Sequence, residues 1–158
     1  MFRPMRRFRQ QVSEEACAEV LKEQWRGVLS VLGDGGYPYG VPVDFFYDEE
    51  KGEIYFHGEK EGQKIDAIRA CDKVSFCVWN EGFIKQGEWA LNITSVIAFG
   101  KIRIVEDESE RTRILRQIGL KYYPDRESAE KVLRDAGHRA ICLALKIEHM
   151  TGKLVKES

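Results

Sequence analysis

The stretch 54–68 places groups that could bind an anion at the start of a predicted helix. It begins with the composition of a β-strand, continues as a loop bracketed by Gly58 and Gly62, and takes helical apolar spacing from Lys64 onwards. The first turn of a helix leaves backbone N–H groups unpaired and carries partial positive charge. With Lys60 and Lys64 beside it, this segment predicts a phosphate site. The alternative is an ordinary glycine-rich loop with solvated lysines.

His57 ends the strand beside that loop and is the candidate catalytic residue. Its side chain titrates near neutral pH, so it could donate a proton to a substrate or hydrogen-bond a ligand. If Ile54 and Phe56 fill the core, strand parity turns His57 outward; the alternative is a structural histidine. His138, predicted to start a strand, and His149 are too scattered for a metal site, and none is predicted.

A second candidate feature is the predicted strand 37–47, in which Pro38 and Pro42 fall on the same parity. Proline has no N–H, so one edge of this strand would pair poorly while the backbone of residues 41–44 stays available to a flat ligand. Asp44 could accept a hydrogen bond from a ring N–H of that ligand. The alternatives are an edge strand protected from aggregation and a solvated aspartate.

Composition limits the class of protein and of partner. The 158 residues fit one domain, 1–158, whose basic arm 1–11 is expected to be flexible. A formal net charge of −1 supplies no field for nucleic acid or an acidic membrane, so neither partner is expected. No apolar run reaches the roughly 18 residues that cross a bilayer.

The four cysteines, residues 17, 71, 77 and 142, lie in apolar runs without C-x-x-C spacing. Such cysteines are typical of buried, reduced thiols, which favours a cytoplasmic location.

The remaining elements are predicted from apolar periodicity and capping residues. Helices are expected from Ser13 to about residue 24, over 63–71, from Asp107 to Gly119, and from Asp125 to Gly137. Residues 80–93 have no clear period and are expected to form a long loop. Strands are expected at 28–32, 37–47, 54–57, 74–79, 94–105 with a bulge at Gly100, and 141–147. The expected fold is therefore α+β, a six-stranded antiparallel barrel with peripheral helices.

Several short segments, in this order along residues 5–153, resemble the flavin-binding split-barrel proteins related to pyridoxamine 5′-phosphate oxidase. Their joint order is most similar to the branch of 5-nitroimidazole resistance proteins. The segments are Trp25-Arg26-Gly27-Val28-Leu29-Ser30, Gly36-Tyr37-Pro38-Tyr39-Gly40-Val41-Pro42-Val43, Tyr55-Phe56-His57-Gly58, Glu61-Gly62, Lys64, Thr94-Ser95-Val96 and Gly100.

The resemblance implies a six-stranded antiparallel split β-barrel and a homodimer with FMN at the subunit interface. It implies that Lys64 and the Gln63 backbone meet the phosphate, that residues 41–44 follow the flavin ring, and that His57 lies near its reactive edge. Ser95 would come from the other subunit. The implied cofactor-binding residues are Val41, Pro42, Val43, Asp44, His57, Gly58, Gln63, Lys64 and Ser95.

The sequence differs from the oxidase that names the family in one motif, and this difference limits which activity is expected. The C-terminal strand lacks the Arg-x-His motif with which the oxidase handles its vitamin substrate, so pyridoxamine 5′-phosphate oxidation is not expected. Three alternatives stay open: an FMN-dependent reductase of small electrophiles such as nitroimidazoles, a flavin-binding or sensing protein without turnover, and a split barrel that uses haem or a deazaflavin. The small molecule and the homodimer are the partners expected in the first case.

A second subunit is also expected on physical grounds. The β-rich run 94–105 carries apolar residues, among them Val96, Ala98 and Phe99, that would need cover if they lay at an open edge of a small barrel.

Overall fold

The computed structural model describes residues 1–155; the last three residues of the predicted domain, 156–158, lie outside the described part. Four α-helices are α1 Glu14–Glu23, α2 Gln63–Ala70, α3 Glu108–Tyr122 and α4 Arg126–Ala136. Eight strands are β1 Arg26–Leu32, β2 Pro38–Asp44, β3 Phe46–Asp48, β4 Glu53–Gly58, β5 Lys73–Trp79, β6 Phe83–Ile84, β7 Leu91–Ile104 and β8 Ile141–Val155. Short 3-10 turns occupy Phe8–Gln10, Asp34–Gly36 and Gly137–Arg139.

The strands form one curled antiparallel sheet in the order β2-β1-β5-β7-β8-β4-β3, with β6 paired to β7. The two ends of this order, β2 and β3, are consecutive parts of one chain segment separated only by Phe45. The sheet therefore curls round until its first and last strands meet at that residue. The α+β class and the antiparallel sheet are as expected, but there are eight strands and not six.

The two additional strands have identifiable causes. The predicted strand 37–47 is broken at Phe45, whose N–H donates to the Tyr122 hydroxyl at 2.9 Å. Its carbonyl accepts from Lys121 Nζ at 2.9 Å and from the Tyr122 hydroxyl at 3.0 Å. Side chains from the end of α3 thus replace the hydrogen bonds of a continuous strand, and no sequence pattern within 37–47 reports that contact.

The other additional strand lies in residues 80–93, which are not simply a loop. β6 pairs with the start of β7, Phe83 opposite Asn92, to make a small hairpin. The buried Asn92 amide donates to the carbonyls of Phe83 and Ala90 at 3.2 and 3.3 Å. Two residues of strand are too short to give a periodic signal, so the sequence pattern missed this hairpin.

The predicted bulge at Gly100 is present, since the pairing of β7 with β8 shifts register between Phe99 and Gly100. A Cβ atom on Gly100 would lie 1.9 Å from the Lys146 carbonyl oxygen, so only glycine fits there. Around it, Val96 and Ala98 point into the core and are fully buried, whereas Ile97 and Phe99 are about 40% and 39% exposed. Val96, Ala98 and Phe99 were expected to be exposed apolar residues, and of these three only Phe99 is exposed.

The core has two parts, one on each face of β4. Ile54 and Phe56 are fully buried in the main core inside the curled sheet, as predicted. On the opposite face, Tyr55 packs with the Ile114 and Ile118 side chains of α3. α3 therefore covers the face of β4 to which His57 belongs, and this positions the candidate site.

Two predicted helix details differ. α3 does not end at Gly119 but continues to Tyr122. Gly119 is buried inside the helix, and a Cβ placed on it would lie 3.2 Å from the Ala129 Cβ, so this glycine permits close approach of α4. His138 lies in a 3-10 turn and does not start a strand.

The basic arm lies against the sheet in this structure. Phe2 stacks on His149 with ring centroids 4.8 Å apart, and the Val12 N–H donates to the Gly152 carbonyl at 3.0 Å. Among the described residues, no helix has the length and apolar character needed to span a bilayer.

Candidate functional site

The end of β4 places His57 at the rim of the sheet. His57 pairs with Cys142 of β8, and its side chain is exposed although Tyr55 and Phe56 just before it are fully buried. Neighbouring groups still remove part of the imidazole ring from water, and this partial burial lowers the pKa of His57. The charge of Asp44 raises that pKa, and the charge of Lys64 lowers it. The net effect lowers the pKa, so His57 is mainly neutral at pH 7.

Lys64 reaches back over the loop towards the end of β4. A Cβ atom on Gly58 would lie 3.4 Å from Lys64 Nζ, which places the ammonium group beside the strand end. Burial lowers the pKa of this half-buried lysine. Within residues 1–155 its Nζ makes no hydrogen bond or ion pair, so a partly buried positive charge there lacks a counter-charge.

The start of α2 next to Lys64 is open. Its N-cap is Gly62, which has no side-chain oxygen and adopts a φ of 125°, in the region that favours glycine. The other three α-helices begin with a side-chain oxygen that accepts a backbone N–H, from Ser13, Asp107 and Asp125. The Ile65 N–H donates to the Gly62 carbonyl at 2.9 Å, so the amides of Gln63 and Lys64 are the ones available to an external anion.

Two more residues of the predicted phosphate region take distinct positions. Gln63 is the first residue of α2, and its side-chain nitrogen would lie 3.6 Å from a Cβ on Gly33, in the turn before β2. Lys60 lines a surface cavity of about 440 Å³ together with Arg139, Glu59 and Glu61. Arg139 was not predicted as a site residue because it is distant in sequence and lies in an irregular turn.

A larger cleft of about 470 Å³ opens between α3, α4 and the edge of the sheet. Asp44 and His57, both predicted site residues, line one end of it together with Tyr122. The walls are mainly apolar, formed by Leu115, Ile118, Ala129, Val132, Leu133 and Ala136. The structure thus brings together two predicted residues from β2 and β4 on a cavity whose walls the sequence analysis did not identify.

The charged and polar groups at this end of the cleft have protein partners, apart from His57. Asp44 forms an ion pair with Arg26 Nε at 2.9 Å. Lys121 Nζ donates to the Gln24 carbonyl at 2.7 Å as well as to Phe45, and lies 3.9 Å from the centroid of the Phe45 ring. Burial lowers the pKa of Lys121 to about 8.

The remaining predicted residues are divided by strand parity. Val41 and Val43 point towards the core, whereas Pro42 is exposed and Asp44 half-buried. β2 pairs with β1 alone among the described strands, which leaves the backbone of residues 41–44 on an outer edge of the sheet. Ser95 lies apart from the cleft, half-buried on β7 opposite Trp79 of β5.

One wall of the cleft corresponds to a pattern that is visible in the sequence. The apolar residues Ala129, Val132, Leu133 and Ala136 recur in the sequence at helical spacing, which usually indicates a buried helix face. In the structure only Ala129 of this face is fully buried, and Val132 is 38% exposed. Apolar periodicity identifies such a face but does not distinguish a wall of the core from a wall of a cavity.

A known family matches most of the chain by its sequence profile. The sequence profile of a family described as pyridoxamine 5′-phosphate oxidase matches residues 13–154. A 5a,11a-dehydrotetracycline/5a,11a-dehydrooxytetracycline reductase from Streptomyces rimosus is 38% identical over 60 residues. That stretch is 37% of this chain and 42% of the reductase, so this chain spans about two fifths of the length of the curated relative it matches.

Solved structures share the fold at low sequence identity. A candidate 5-nitroimidazole antibiotic resistance protein from Bacteroides thetaiotaomicron matches with a TM-score of 0.76 at 18% identity, covering 91% of this chain and 86% of that one. An FAD-binding protein from Mesorhizobium loti matches with a TM-score of 0.66 at 23% identity, covering 92% and 97%. Both agree with the curled antiparallel sheet described above.

Proposed function

This chain belongs to the pyridoxamine 5′-phosphate oxidase family, and from that premise we propose that it is an FMN-dependent reductase of small electrophilic molecules such as nitroimidazoles. The profile match over residues 13–154 establishes the family. The description of the Streptomyces rimosus protein as a reductase supports a reductive activity, and that of the candidate resistance protein supports 5-nitroimidazoles as substrates to test. Pyridoxamine 5′-phosphate oxidation is not proposed, because the C-terminal strand lacks the Arg-x-His motif.

The observation that carries the proposal is the unpaired ammonium group of Lys64 beside the uncapped start of α2. A phosphate group would accept hydrogen bonds from the amides of Gln63 and Lys64 and from Lys64 Nζ, and it would supply the counter-charge that the described residues do not provide. The backbone edge at residues 41–44 fits the flat ring of the same ligand. These features fit a flavin phosphate.

FMN is proposed over FAD because this cradle offers one helix start and one half-buried lysine, which suits one phosphate group. The FAD-binding protein from Mesorhizobium loti makes FAD the appropriate competitor. Titration of the purified protein with each flavin tests this choice. FMN binding at least as tight as FAD binding supports it, and a clear preference for FAD contradicts it.

The residues of this chain would bind the flavin, orient the substrate and donate hydrogen bonds to it. Bound flavin supplies hydride transfer. Lys64 and the amides of Gln63 and Lys64 hold the phosphate end, and His57 stands at the mouth of the apolar cleft with a neutral ring. A neutral imidazole carries one N–H, so His57 would donate a hydrogen bond to the substrate and stabilise negative charge that develops on it.

A homodimer is part of the proposal. The outer face of the sheet exposes three large apolar side chains: Trp79 is 50% exposed, with Ile97 and Phe99 on the neighbouring strand. Burying such a face against a second copy would remove apolar area from water. Ser95 lies on the same face, opposite Trp79, from which it would approach the site of the other subunit.

The first experiment is an absorption spectrum of protein purified without added cofactor, followed by FMN titration and sedimentation. A flavin spectrum and a dimer are expected. FMN-loaded protein is then reduced chemically and mixed with metronidazole, a 5-nitroimidazole. Reoxidation coupled to loss of the nitro absorbance supports the reductase. Bound FMN without substrate loss would favour a flavin-binding or sensing protein, and a haem or deazaflavin spectrum would contradict FMN.

The role of His57 is tested separately with the His57→Ala variant. Because the phosphate contacts lie elsewhere, we expect the fold and most of the FMN affinity to remain. Reduction of metronidazole should slow by about 100-fold, the lower end of the loss expected when one hydrogen-bond donor to developing charge is removed. A lowered melting temperature with an unchanged rate and pH profile would instead make His57 a structural residue.

A further inference from the structure

The apolar face of α4 is only partly covered by the rest of the protein. Ala129, Val132, Leu133 and Ala136 are spaced for one helical face, yet only Ala129 is fully buried. A helix face of this kind is normally covered by the core. Here it forms one wall of the 470 Å³ cleft, and the Leu115 and Ile118 side chains of α3 form another.

From this arrangement we propose that the α3–α4 cleft is the substrate pocket and that it selects uncharged ring compounds, with the reducible polar group of the substrate at the His57 end. The assignment of that end as the reactive one rests on the proposed function. The binding of an uncharged ring in the cleft rests on the cleft alone.

The preference for an uncharged compound follows because the charged groups that line or border the cleft already have partners within the protein. The Asp44 carboxylate is already paired with Arg26, and Lys121 Nζ is already bonded to the carbonyls of Gln24 and Phe45. A charged substrate would therefore lose its hydration without gaining an unpaired counter-charge. His57 can donate one hydrogen bond to a neutral acceptor such as a carbonyl or nitro oxygen.

A small molecule fits this cleft better than a second protein copy. Its volume of about 470 Å³ lies within the range of about 300–1,000 Å³ that is typical of small-molecule pockets. Asp44 is an electrostatic neighbour of both His57 and Tyr122 in a mainly apolar lining, and a few grouped polar residues are also typical of such pockets. The exposed apolar face proposed for dimerisation is a different surface, on β5 and β7.

The test uses three naphthalene probes that differ in charge, titrated into the full-length FMN-loaded protein at pH 7.5. The neutral ketone 2-acetylnaphthalene should bind at least about tenfold more tightly than 2-naphthoate or 2-(aminomethyl)naphthalene, a ratio that corresponds to one unpaired, partly buried charge. Equal binding of the three probes, or a preference for either ion, overturns the proposal.

Two variants locate the binding. Ala136→Trp places an indole in the cleft and should weaken 2-acetylnaphthalene binding by about tenfold or more while FMN affinity stays within about twofold. Lys131→Trp, on the exposed face of the same helix, is the matched control and should bind the probe as the parent does. Unchanged probe binding in Ala136→Trp overturns the proposal.

Two further outcomes separate this inference from the proposed function and from a protein partner. Neutral-selective probe binding that Ala136→Trp abolishes, in protein that binds no flavin, supports the pocket and contradicts the FMN-dependent reductase. Conversion of the dimer to a monomer by Ala136→Trp, with sedimentation as the measurement, would show that a second copy occupies the cleft and would overturn the pocket.

Discussion

Lys64 and Lys121 are both half-buried lysines whose pKa values are lowered by burial, but their ammonium groups face different partners. Lys121 Nζ donates to two backbone carbonyls and lies over the Phe45 ring, so its charge is used within the protein. Lys64 Nζ lies beside Gly58 and the open start of α2 and has no acceptor in residues 1–155. Burial alone therefore does not make a lysine a candidate binding residue. A half-buried lysine whose ammonium group has no partner in the protein is such a candidate.

The starts of α2 and α4 differ in the same way. Asp125 Oδ1 accepts the Ser128 N–H at 2.7 Å and closes the start of α4, whereas Gly62 offers α2 no side-chain oxygen. A capped start stabilises the fold, and an uncapped start beside an unpaired lysine is available to a ligand. Both contrasts support the proposed phosphate site at the start of α2, whereas Lys121 and Asp125 have partners within the protein.

The largest effect is expected from the matched pair Lys64→Met and Lys121→Met. Lys64→Met should weaken FMN binding by roughly 1.5–3 kcal/mol, the contribution of one shielded charge-assisted hydrogen bond. Lys121→Met should leave FMN affinity within about twofold in folded protein, because its ammonium contacts backbone carbonyls. Fluorescence titration of FMN measures both. Equal losses in the two variants would break the distinction between the lysines.

The next effect tests the structural side of the comparison at Tyr122. Tyr122→Phe removes the hydroxyl that accepts the Phe45 N–H, and Phe45 is fully buried. An unsatisfied buried N–H costs about 1–3 kcal/mol, so the free energy of unfolding in urea should fall by that amount. Lys121 continues to bond the Phe45 carbonyl, so the break between β2 and β3 should persist. Unchanged stability would mean that water replaces the hydroxyl.

A smaller loss of stability is expected when a capped helix start is opened. Asp125→Ala removes the oxygen that closes α4 and should lower the free energy of unfolding by about 1 kcal/mol. FMN affinity should not change, since α4 does not contribute to the phosphate cradle. Ser13→Ala at the start of α1 is the matched control for cap loss away from the cleft. Tighter FMN binding in Asp125→Ala would contradict the proposal that α2 holds the phosphate.

How much of this could be read from the sequence depends on the range of each contact. The starts of α1, α3 and α4, the bulge at Gly100 and the outward position of His57 follow from local rules of capping, glycine geometry and strand parity, and all are present. The juxtaposition of Gly58 and Lys64 was likewise predictable from one strand–loop–helix segment.

The features that sequence reasoning missed depend on distant contacts. The break at Phe45 is made by Tyr122, 77 residues away, and the pairing of Asp44 with Arg26 depends on the register of β1 against β2. The cleft exists because Gly119 lets α4 approach α3 while the apolar face of α4 stays only partly covered. Such placements are set by packing between elements, which periodicity within one element does not report.

The smallest expected effect concerns the electrostatic link between Lys64 and His57. The positive charge of Lys64 lowers the pKa of His57, while Lys121 makes no such contribution. Lys64→Met should therefore raise the pKa of His57, because a protonated imidazole would no longer face that charge, and Lys121→Met should leave it unchanged. In the wild type His57 becomes protonated at a lower pH than an ordinary histidine does. In Lys64→Met its protonation should begin at a higher pH than in the wild type. Titration of the His57 ring protons by NMR measures this. A pKa of His57 that responds to neither variant would separate the histidine from the phosphate cradle and leave Lys64 as a binding residue only.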